Sequence, residues 1–412
     1  MDTAIQYEVP RSWIKYDHDE IRDELLTAKA SILALKAIPF QRRWVKSIQD
    51  IQLKMEVGGS SRIEGADFAA NELETAIKAE TPEELVTRSQ RQALATTKAY
   101  RWIVNIPDDY PIDVDLVCSI HRIIITDCDE DHCEPGVVRH GDDQVTFGIP
   151  KHRGARAGDE CKDALQQLTE EVKTTYRNHD ALVQALALHY HFAAMHPFVD
   201  GNGRTARVLE ALALQRAGLK DSLFIAMSNY YYDEKKDYLS SLAAVRAGDH
   251  NLTAFLKFGL KGIALQTQRL TNLVKNAVSK ELFRGLMGDL FSRLESTRKR
   301  VIVKRQLMVL NRLLERDGEQ EVEWSQLVDE VARYYASRKN ASTAIVRDVN
   351  RLGALGAITV RREQIDEKRS RFWIGANLNW PSQITDTEFF MKIEQLPRSK
   401  TSTFPTPTTN GL

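Results

Sequence analysis

Residues 189–219 read HYHFAAMHPFVDGNGRTARVLEALALQRAGL, and twelve of them hold a histidine, a carboxylate, a glycine turn and two arginines. His196 can take a proton at neutral pH. Asp200 can hold a divalent cation such as Mg2+. Gly201-Asn202-Gly203 permits backbone conformations closed to other residues, and Asn202 suits either a bridging phosphate oxygen or the turn's own backbone. Arg204 and Arg207 fall in the first turn of the following helix, where the dipole and their mutual repulsion both disfavour them. A polyphosphate across that turn removes the conflict, because free N–H groups at a helix start and guanidinium pairs both grip phosphate oxygens. Each residue alone has a plain structural reading: a helix-end histidine, a turn, a salt bridge. Their convergence at one helix–turn–helix junction points to phosphate chemistry.

The elements that position these residues follow from periodicity. An apolar helix ends at Met195, because Pro197 pushes His196 towards extended geometry. The next helix starts near Arg204 and is apolar on nearly every face up to Gly218, its expected cap, so it must lie centrally. Upstream, Ile21, Leu25, Ile32 and Leu35 mark a helix over 18–38 that stops at Pro39. Residues 40–57 read as a second helix ended by Gly58-Gly59, and Ser60 then stands as the N-cap of a short helix through Glu64. Further helices are expected over 67–79, 82–104, 113–126, 158–177 and 180–195. Gln144-Val145-Thr146-Phe147 reads as one arm of a short hairpin. The fold class expected is mainly α: a helical body with a small flap, followed by a smaller unit.

The stretch His196-Pro197-Phe198-Val199-Asp200-Gly201-Asn202-Gly203-Arg204-Thr205-Ala206-Arg207 resembles the full signature of Fic-domain proteins, His-Pro-Phe-x-(Asp/Glu)-Gly-Asn-Gly-Arg-x-x-Arg, without a departure. The resemblance extends over roughly residues 45–262. It implies transfer of AMP from ATP to a Tyr, Thr or Ser hydroxyl of a target protein, with His196 as base and Asp200 on Mg2+. Gly201, Asn202, Gly203, Arg204, Thr205, Ala206 and Arg207 would make the ATP-binding turn, with Arg204 on the β-phosphate and Arg207 on the γ-phosphate. Val145-Thr146-Phe147-Gly148 is similar to the flap that pins a target segment by strand pairing, with Ile149 in place of its usual second glycine. Tyr238 lies in a stretch similar to the adenine wall; core packing is its plain reading. Ser60-Ser61-Arg62-Ile63-Glu64-Gly65 is similar to the inhibitory motif (Ser/Thr)-x-x-x-Glu-(Gly/Asn). There Glu64 would bridge Arg207 in two-pronged fashion and take the γ-phosphate's place, and in relatives the same glutamate supports removal of AMP.

Beyond residue 295 the character changes. A basic helix, two more helices and the strand-like Ala357–Val360 and Arg371–Ile374 give the plan of a winged helix-turn-helix, with 339–352 as its second helix. Between 333 and 371 basic residues outnumber acidic ones ten to four, a footprint suited to DNA or to a solvated protein-binding face. The divisions expected are a helical region with the inhibitory helix (1–100), the catalytic core (101–262), a connecting helical segment (263–295), the winged helix (296–380) and a disordered Pro/Thr/Ser-rich tail (381–412).

Composition narrows the class. Lys plus Arg and Asp plus Glu are both 57 in 412 residues, so no global polyanion affinity is expected. No apolar run reaches membrane-spanning length and the N-terminus lacks a signal pattern, which points to the cytoplasm. Cys128, His132 and Cys133 in TDCDEDHCEPG invite a zinc reading, but no second ligand pair follows, and an acidic loop with incidental thiols is the better reading. The partners expected are ATP, a hydroxyl-bearing protein, DNA or a protein at the winged helix, and a second copy of the chain. The alternatives are a winged-helix regulator that senses nucleotide, and a transferase using another nucleotide donor.

Overall fold

The computed structural model describes residues 4–395 other than 40–41, 67, 142, 149, 220–224, 296–303, 317–320, 337–339 and 367–368. It divides into two compact units, Met1–Val274 and Lys275–Leu412.

The first unit contains β1 (Ile5–Gln6), α1 (His18–Lys36), α2 (Arg42–Ile63), α3 (Ala70–Lys78), α4 (Arg88–Ile103) and α5 (Val114–Ile125). β2 (Thr146–Phe147), β3 (His152–Arg153), α6 (Asp159–Lys173), α7 (Ala181–Met195) and α8 (Asn202–Leu214) follow. Its remaining helices are α9 (Met227–Asp233), α10 (Lys235–Ala247) and the first part of α11 (Thr253–Glu295). α7 and α8 are buried on nearly every face, through Leu182, Val183, Leu186, Phe192, Val208 and Leu209, as their all-round apolar sequence requires. The polar exceptions on these helices satisfy each other. His189 and Glu210 hydrogen-bond, Glu210 accepts from Tyr231 at 2.8 Å, and Tyr238 Oη lies 2.9 Å from the second nitrogen of His189. Around this pair lie α5 against α8, and α2 against α9. The flap is a three-stranded sheet in the order β1-β3-β2, antiparallel between β2 and β3 and parallel between β1 and β3.

Several expectations change here. α2 does not stop at Gly58-Gly59 but runs through Ser60 to Ile63, so Ser60 is an interior helical residue and not an N-cap. The glycines serve close packing instead. A Cβ on Gly59 would sit 2.5 Å from the carbonyl carbon of Ser228, at the start of α9. The division at residue 100 falls inside α4, and that at 262 falls inside α11, because one continuous core covers both sides. The strand of the flap spans Thr146–Phe147 alone; Val145 joins it only through its carbonyl, which accepts from Gly154 N at 3.4 Å. Ile149 lies outside the described residues.

The second unit contains the rest of α11, then α12 (Lys304–Leu314), β4 (Glu321–Glu323), α13 (Trp324–Val331), α14 (Ala341–Ala354), β5 (Ile358–Gln364) and β6 (Ser370–Ala376). α15 (Trp380–Gln383) and α16 (Asp386–Gln395) complete it. The three helices α12–α14 and the β5–β6 hairpin match the element order read from the sequence. The unforeseen strand β4 pairs with β6 to make the sheet β4-β6-β5. Val309, Leu313, Leu327, Ile345, Leu352 and Ile374 form its core. The expected disordered tail begins too early: Phe389 and Ile393, four residues apart on α16, are buried in that core with Trp380. Residues 396–412 lie outside the described part.

Candidate active site

The junction of α7 and α8 opens into a cavity of about 450 Å³ whose wall includes Glu64, His196, Asp200, Gly203, Arg207 and Tyr238. His196 is not extended, as the following proline suggested, but left-handed (φ 54°, ψ 60°), the C-cap of α7 with its N–H bonded to the Phe192 carbonyl. Its Nδ1 lies 2.9 Å from the Ala193 carbonyl, which can only accept. Nδ1 therefore carries the proton and Nε2 keeps a lone pair. Phe147 of the flap stacks on the imidazole, with centroids 3.9 Å apart. Burial pushes the His196 pKa down to about 4, so the ring is neutral at physiological pH.

The turn is fixed from within. Asn202 accepts from Phe198 N–H at 2.9 Å and donates to Phe198 O at 2.8 Å, so its side chain clips the turn's own backbone. Gly201 adopts φ +72° against Ile125. α8 begins at Asn202, two residues earlier than the sequence suggested; it ends at Leu214, with Gly218 (φ 96°) in the wide turn beyond. Behind the turn, His121 stacks on Phe198 at 3.6 Å and lies 3.0 Å from the Asp200 carbonyl, while its Nδ1 accepts from Gly136 N–H. Burial, above all, lowers the His121 pKa to about 4, so it acts as a neutral strut.

Arg207 is 2% exposed and is met by α2. It donates to Glu64 Oε1 at 2.7 Å, and its Nε donates to Ser60 Oγ at 2.9 Å. The expected two-pronged carboxylate bridge is thus shared between Glu64 and Ser60, because Ser60 already occupies the Nε edge. Burial works against it, yet Arg207 holds the Glu64 carboxyl below its ordinary range and is itself raised by Glu64. A Cβ on Gly203 would lie 2.5 Å from Glu64 Oε1, so the carboxylate rests on the bare backbone at the start of α8. Lys235 donates to the Ile63 carbonyl at 2.8 Å and closes the end of α2.

Some expected site residues lie off the cavity. Thr205 and Ala206 are buried on the inner face of α8. Arg204, 5% exposed, turns to Asp129 at 2.8 Å and Asp200 at 3.5 Å. Ser60, Val145 and Thr146 support the wall without forming it, whereas Phe147 and Gly148 line it. Tyr238 does line it, 3% exposed and stacked on Tyr231 with centroids 4.6 Å apart.

The sequence reading missed the loop that closes the other side. Asp129 is fully buried and takes hydrogen bonds from Arg88 at 2.7 Å and Gln92 at 2.9 Å as well as from Arg204. His132 Nε2 lies 3.0 Å from Asp200 Oδ2. The loop's thiols are not open to a metal: burial raises the Cys128 thiol to about 12, and Cys133 packs beside His121. Among the described residues, the group that brings ligand atoms together is Asp129, His132 and Asp200. Within it Asp129 is committed to its arginines, which leaves the half-exposed Asp200 as the carboxylate able to face a cation in the cavity. Arg204 and His132 hold its pKa below the usual range against the opposing effect of burial.

Residues 111–214 match the sequence model of the Fic/DOC family. Protein adenylyltransferase fic-1 of Caenorhabditis elegans is 27% identical over 179 residues, 42% of this chain and 32% of that protein. Its Caenorhabditis briggsae counterpart is 26% identical over 175 residues, 41% of this chain and 31% of its own length. The chain thus spans about a third of these curated relatives. Among solved structures, a Fic family protein from Desulfovibrio desulfuricans G20 aligns over 90% of this chain and 99% of its own, with a TM-score of 0.53 and 17% identity. C. elegans Fic-1 (residues 134–508) aligns over 62% of this chain and 73% of its own, with a TM-score of 0.52 and 19% identity. At such identities the likeness is one of fold.

Proposed function

The chain carries a Fic domain at residues 111–214, and from that premise we propose that it transfers AMP from ATP to a hydroxyl side chain of a protein target. The observation that carries the reading is a carboxylate, Glu64, bound to Arg207 on the bare start of α8 beside a neutral imidazole. A site that holds one anion there suits the terminal phosphate of a triphosphate.

In the proposed reaction the target hydroxyl gives its proton to His196 Nε2 as its oxygen attacks the α-phosphorus. The bond from the α-phosphorus to the bridging oxygen breaks, and pyrophosphate leaves with the electron pair. The hydrogen bond to Ala193 fixes the tautomer that can accept, and burial keeps it unprotonated. The N–H groups at Gly201–Gly203 and the guanidinium of Arg207 spread the charge of the phosphates, and Arg204 adds positive charge from behind the turn. Asp200 is the residue that would hold Mg2+, which supplies further neutralisation of phosphate charge. Among the described residues no strand pairs with the outer edge of β2, which would take an extended target segment next to His196.

Glu64 restrains this reaction by occupying the γ-phosphate's place, since misplacing the α-phosphate by an ångström costs orders of magnitude in rate. The test is incubation of wild type, Glu64→Gly and His196→Ala with labelled ATP and Mg2+. The Glu64→Gly protein should label itself or a target far more than wild type, and equal labelling removes the restraint. Undiminished labelling by His196→Ala in the Glu64→Gly background overturns the base assignment and favours a nucleotide sensor.

A further inference from the structure

The buried polar cluster of α7 and α8 does not close on itself. Glu210, 1% exposed, accepts from Tyr231 Oη at 2.8 Å on one oxygen and meets His189 Nδ1 on the other. His189 Nε2 lies 2.9 Å from Tyr238 Oη. Tyr238 stands in the cavity wall, and Arg207 donates to the same hydroxyl. A guanidinium can only donate, so Tyr238 Oη accepts from Arg207 and gives its own hydrogen to His189 Nε2. The imidazole then carries its hydrogen on Nδ1 and donates to Glu210. One chain of hydrogen bonds, all running in the same sense, thus joins Arg207 to a buried carboxylate.

We propose that Tyr238, held by His189 and Glu210, is a positioning residue that keeps the Arg207 guanidinium in place for a terminal phosphate when Glu64 leaves. The proposal rests on the reading that Arg207 receives the γ-phosphate. Three side chains accept from Arg207: Ser60 at 2.9 Å, Glu64 at 2.7 Å and Tyr238. Ser60 and Tyr238 are buried in the core, whereas Glu64 is exposed. Exchange of Glu64 for a phosphate therefore leaves two anchors standing, and the guanidinium need not be ordered anew on binding. Glu210 polarises each bond of the chain in turn and makes the Tyr238 oxygen a better acceptor for the arginine. The resemblance read from the sequence places Tyr238 at the adenine wall; in this arrangement its hydroxyl serves the other end of the nucleotide. A purely structural cluster, which only satisfies its own buried groups, needs no contact with Arg207 and gives no preference among nucleotides.

The experiment is calorimetric titration of the full chain, in the Glu64→Gly background with Mg2+, against the α,β-methylene analogues of ATP and ADP, which resist AMP transfer. Tyr238→Phe keeps the ring and removes only the hydroxyl. It should bind the ATP analogue about fivefold more weakly, the cost of ordering one freed long side chain, while its affinity for the ADP analogue stays within about twofold. Glu210→Gln, which removes the charge at the far end of the chain, should shift the ratio of the two affinities in the same direction by less. Equal losses for both nucleotides, or no loss, overturn the proposal and leave Tyr238 as base wall or packing. An unchanged ratio in folded Glu210→Gln overturns it as well; if that variant does not fold, Tyr238→Phe alone decides. The control is Arg207→Gln. If it prefers the ATP analogue as strongly as its parent does, Arg207 does not meet the γ-phosphate, and both the inference and the reading beneath it fall. If it loses that preference while Tyr238→Phe keeps it, the reading stands and the inference alone fails.

Discussion

Arginines do opposite work in the two units. In the first, Arg204 and Arg207 are buried, and each meets an acid from a distant segment, Asp129 for Arg204 and Glu64, 143 residues earlier, for Arg207. Burying a charge costs several kcal/mol unless a partner offsets it, so these positions are unstable without an anion. In the proposed reading the partner of Arg207 is exchangeable, since Glu64 itself is exposed and follows the end of a helix. In the second unit Arg361, Arg369 and Arg371 are exposed and answered by Glu321, Asp366 and Glu323 on the same sheet or turn. A count of basic against acidic residues between 333 and 371 therefore overstates the positive surface, because β4 lays Glu321 and Glu323 beside β6 from outside that window. Positive charge marks a ligand site where the arginine is buried and its partner is free to leave.

That contrast has an exception which sharpens it. Asp348 in the second unit is fully buried and fixed, with Gln306 at 3.2 Å, Tyr335 Oη at 3.1 Å and Arg305 at 3.6 Å. Asp348→Ala should destabilise that unit by about 3–5 kcal/mol, since it strands several buried polar groups at once. Urea unfolding followed by tryptophan fluorescence reads it; a loss under about 1 kcal/mol would place Asp348 with the surface pairs.

Glu56 is the corresponding fixed acid in the first unit. It is buried on α2, accepts from Tyr100 Oη at 2.6 Å, from Ser228 N–H at 2.8 Å and from Ser228 Oγ, and faces the charge of Glu210 across the core. Burial raises its pKa from 4.5 to about 7, against these hydrogen bonds. The folded state thus binds the proton more tightly than the unfolded chain, and Glu56 makes stability fall as pH rises from 4.5 to about 7, with no further change above. Wild type should lose on the order of 3 kcal/mol relative to Glu56→Gln across that window. A flat difference between the two proteins from pH 5 to 8 would mean that the carboxylate is ionised throughout.

Gly59→Ala tests whether α2 can be shifted as a body. Its Cβ would meet the Ser228 backbone at 2.5 Å, and backbone cannot swing aside as a side chain does. A stability loss of about 1–3 kcal/mol is expected, with a rise in AMP transfer as Glu64 is drawn from Arg207. A stability loss without that rise would mean that the end of α2 holds its place independently.

The α7–α8 junction was legible because its candidate residues are contiguous: His196, Asp200 and the arginines are ordered by one turn, and the helices around them are apolar and bounded by clear end signals. What escaped notice depends on distance along the chain. Asp129 and His132 matter only because α8 and the turn before it bring Arg204 and Asp200 to them, and nothing within TDCDEDHCEPG marks which acid is buried. The same limit hid β4, three residues long and defined by pairing with β6, and β1, which exists only beside β3. Gly58-Gly59 misled in the other direction. Two glycines ordinarily end a helix, and only the approach of α9 explains why they lie within one.

The smallest expected effect bears on the second unit's surface. Arg361 donates to Glu321 at 2.8 Å and stacks over Trp373 at 5.3 Å, with the guanidinium half exposed. Water screens such a pair, so Glu321→Gln should change stability by less than about 1 kcal/mol. Its effect on nucleic acid is the more telling measurement. If the arginines of the sheet are matched by their neighbours, removing Glu321 frees one positive charge, and duplex DNA binding should gain a salt dependence steeper by about one counterion. Wild type should show little affinity in the same gel shift. Strong, salt-dependent binding by wild type would mean that phosphates displace these surface acids as readily as a triphosphate is proposed to displace Glu64, and the distinction between the two sets of arginines would disappear.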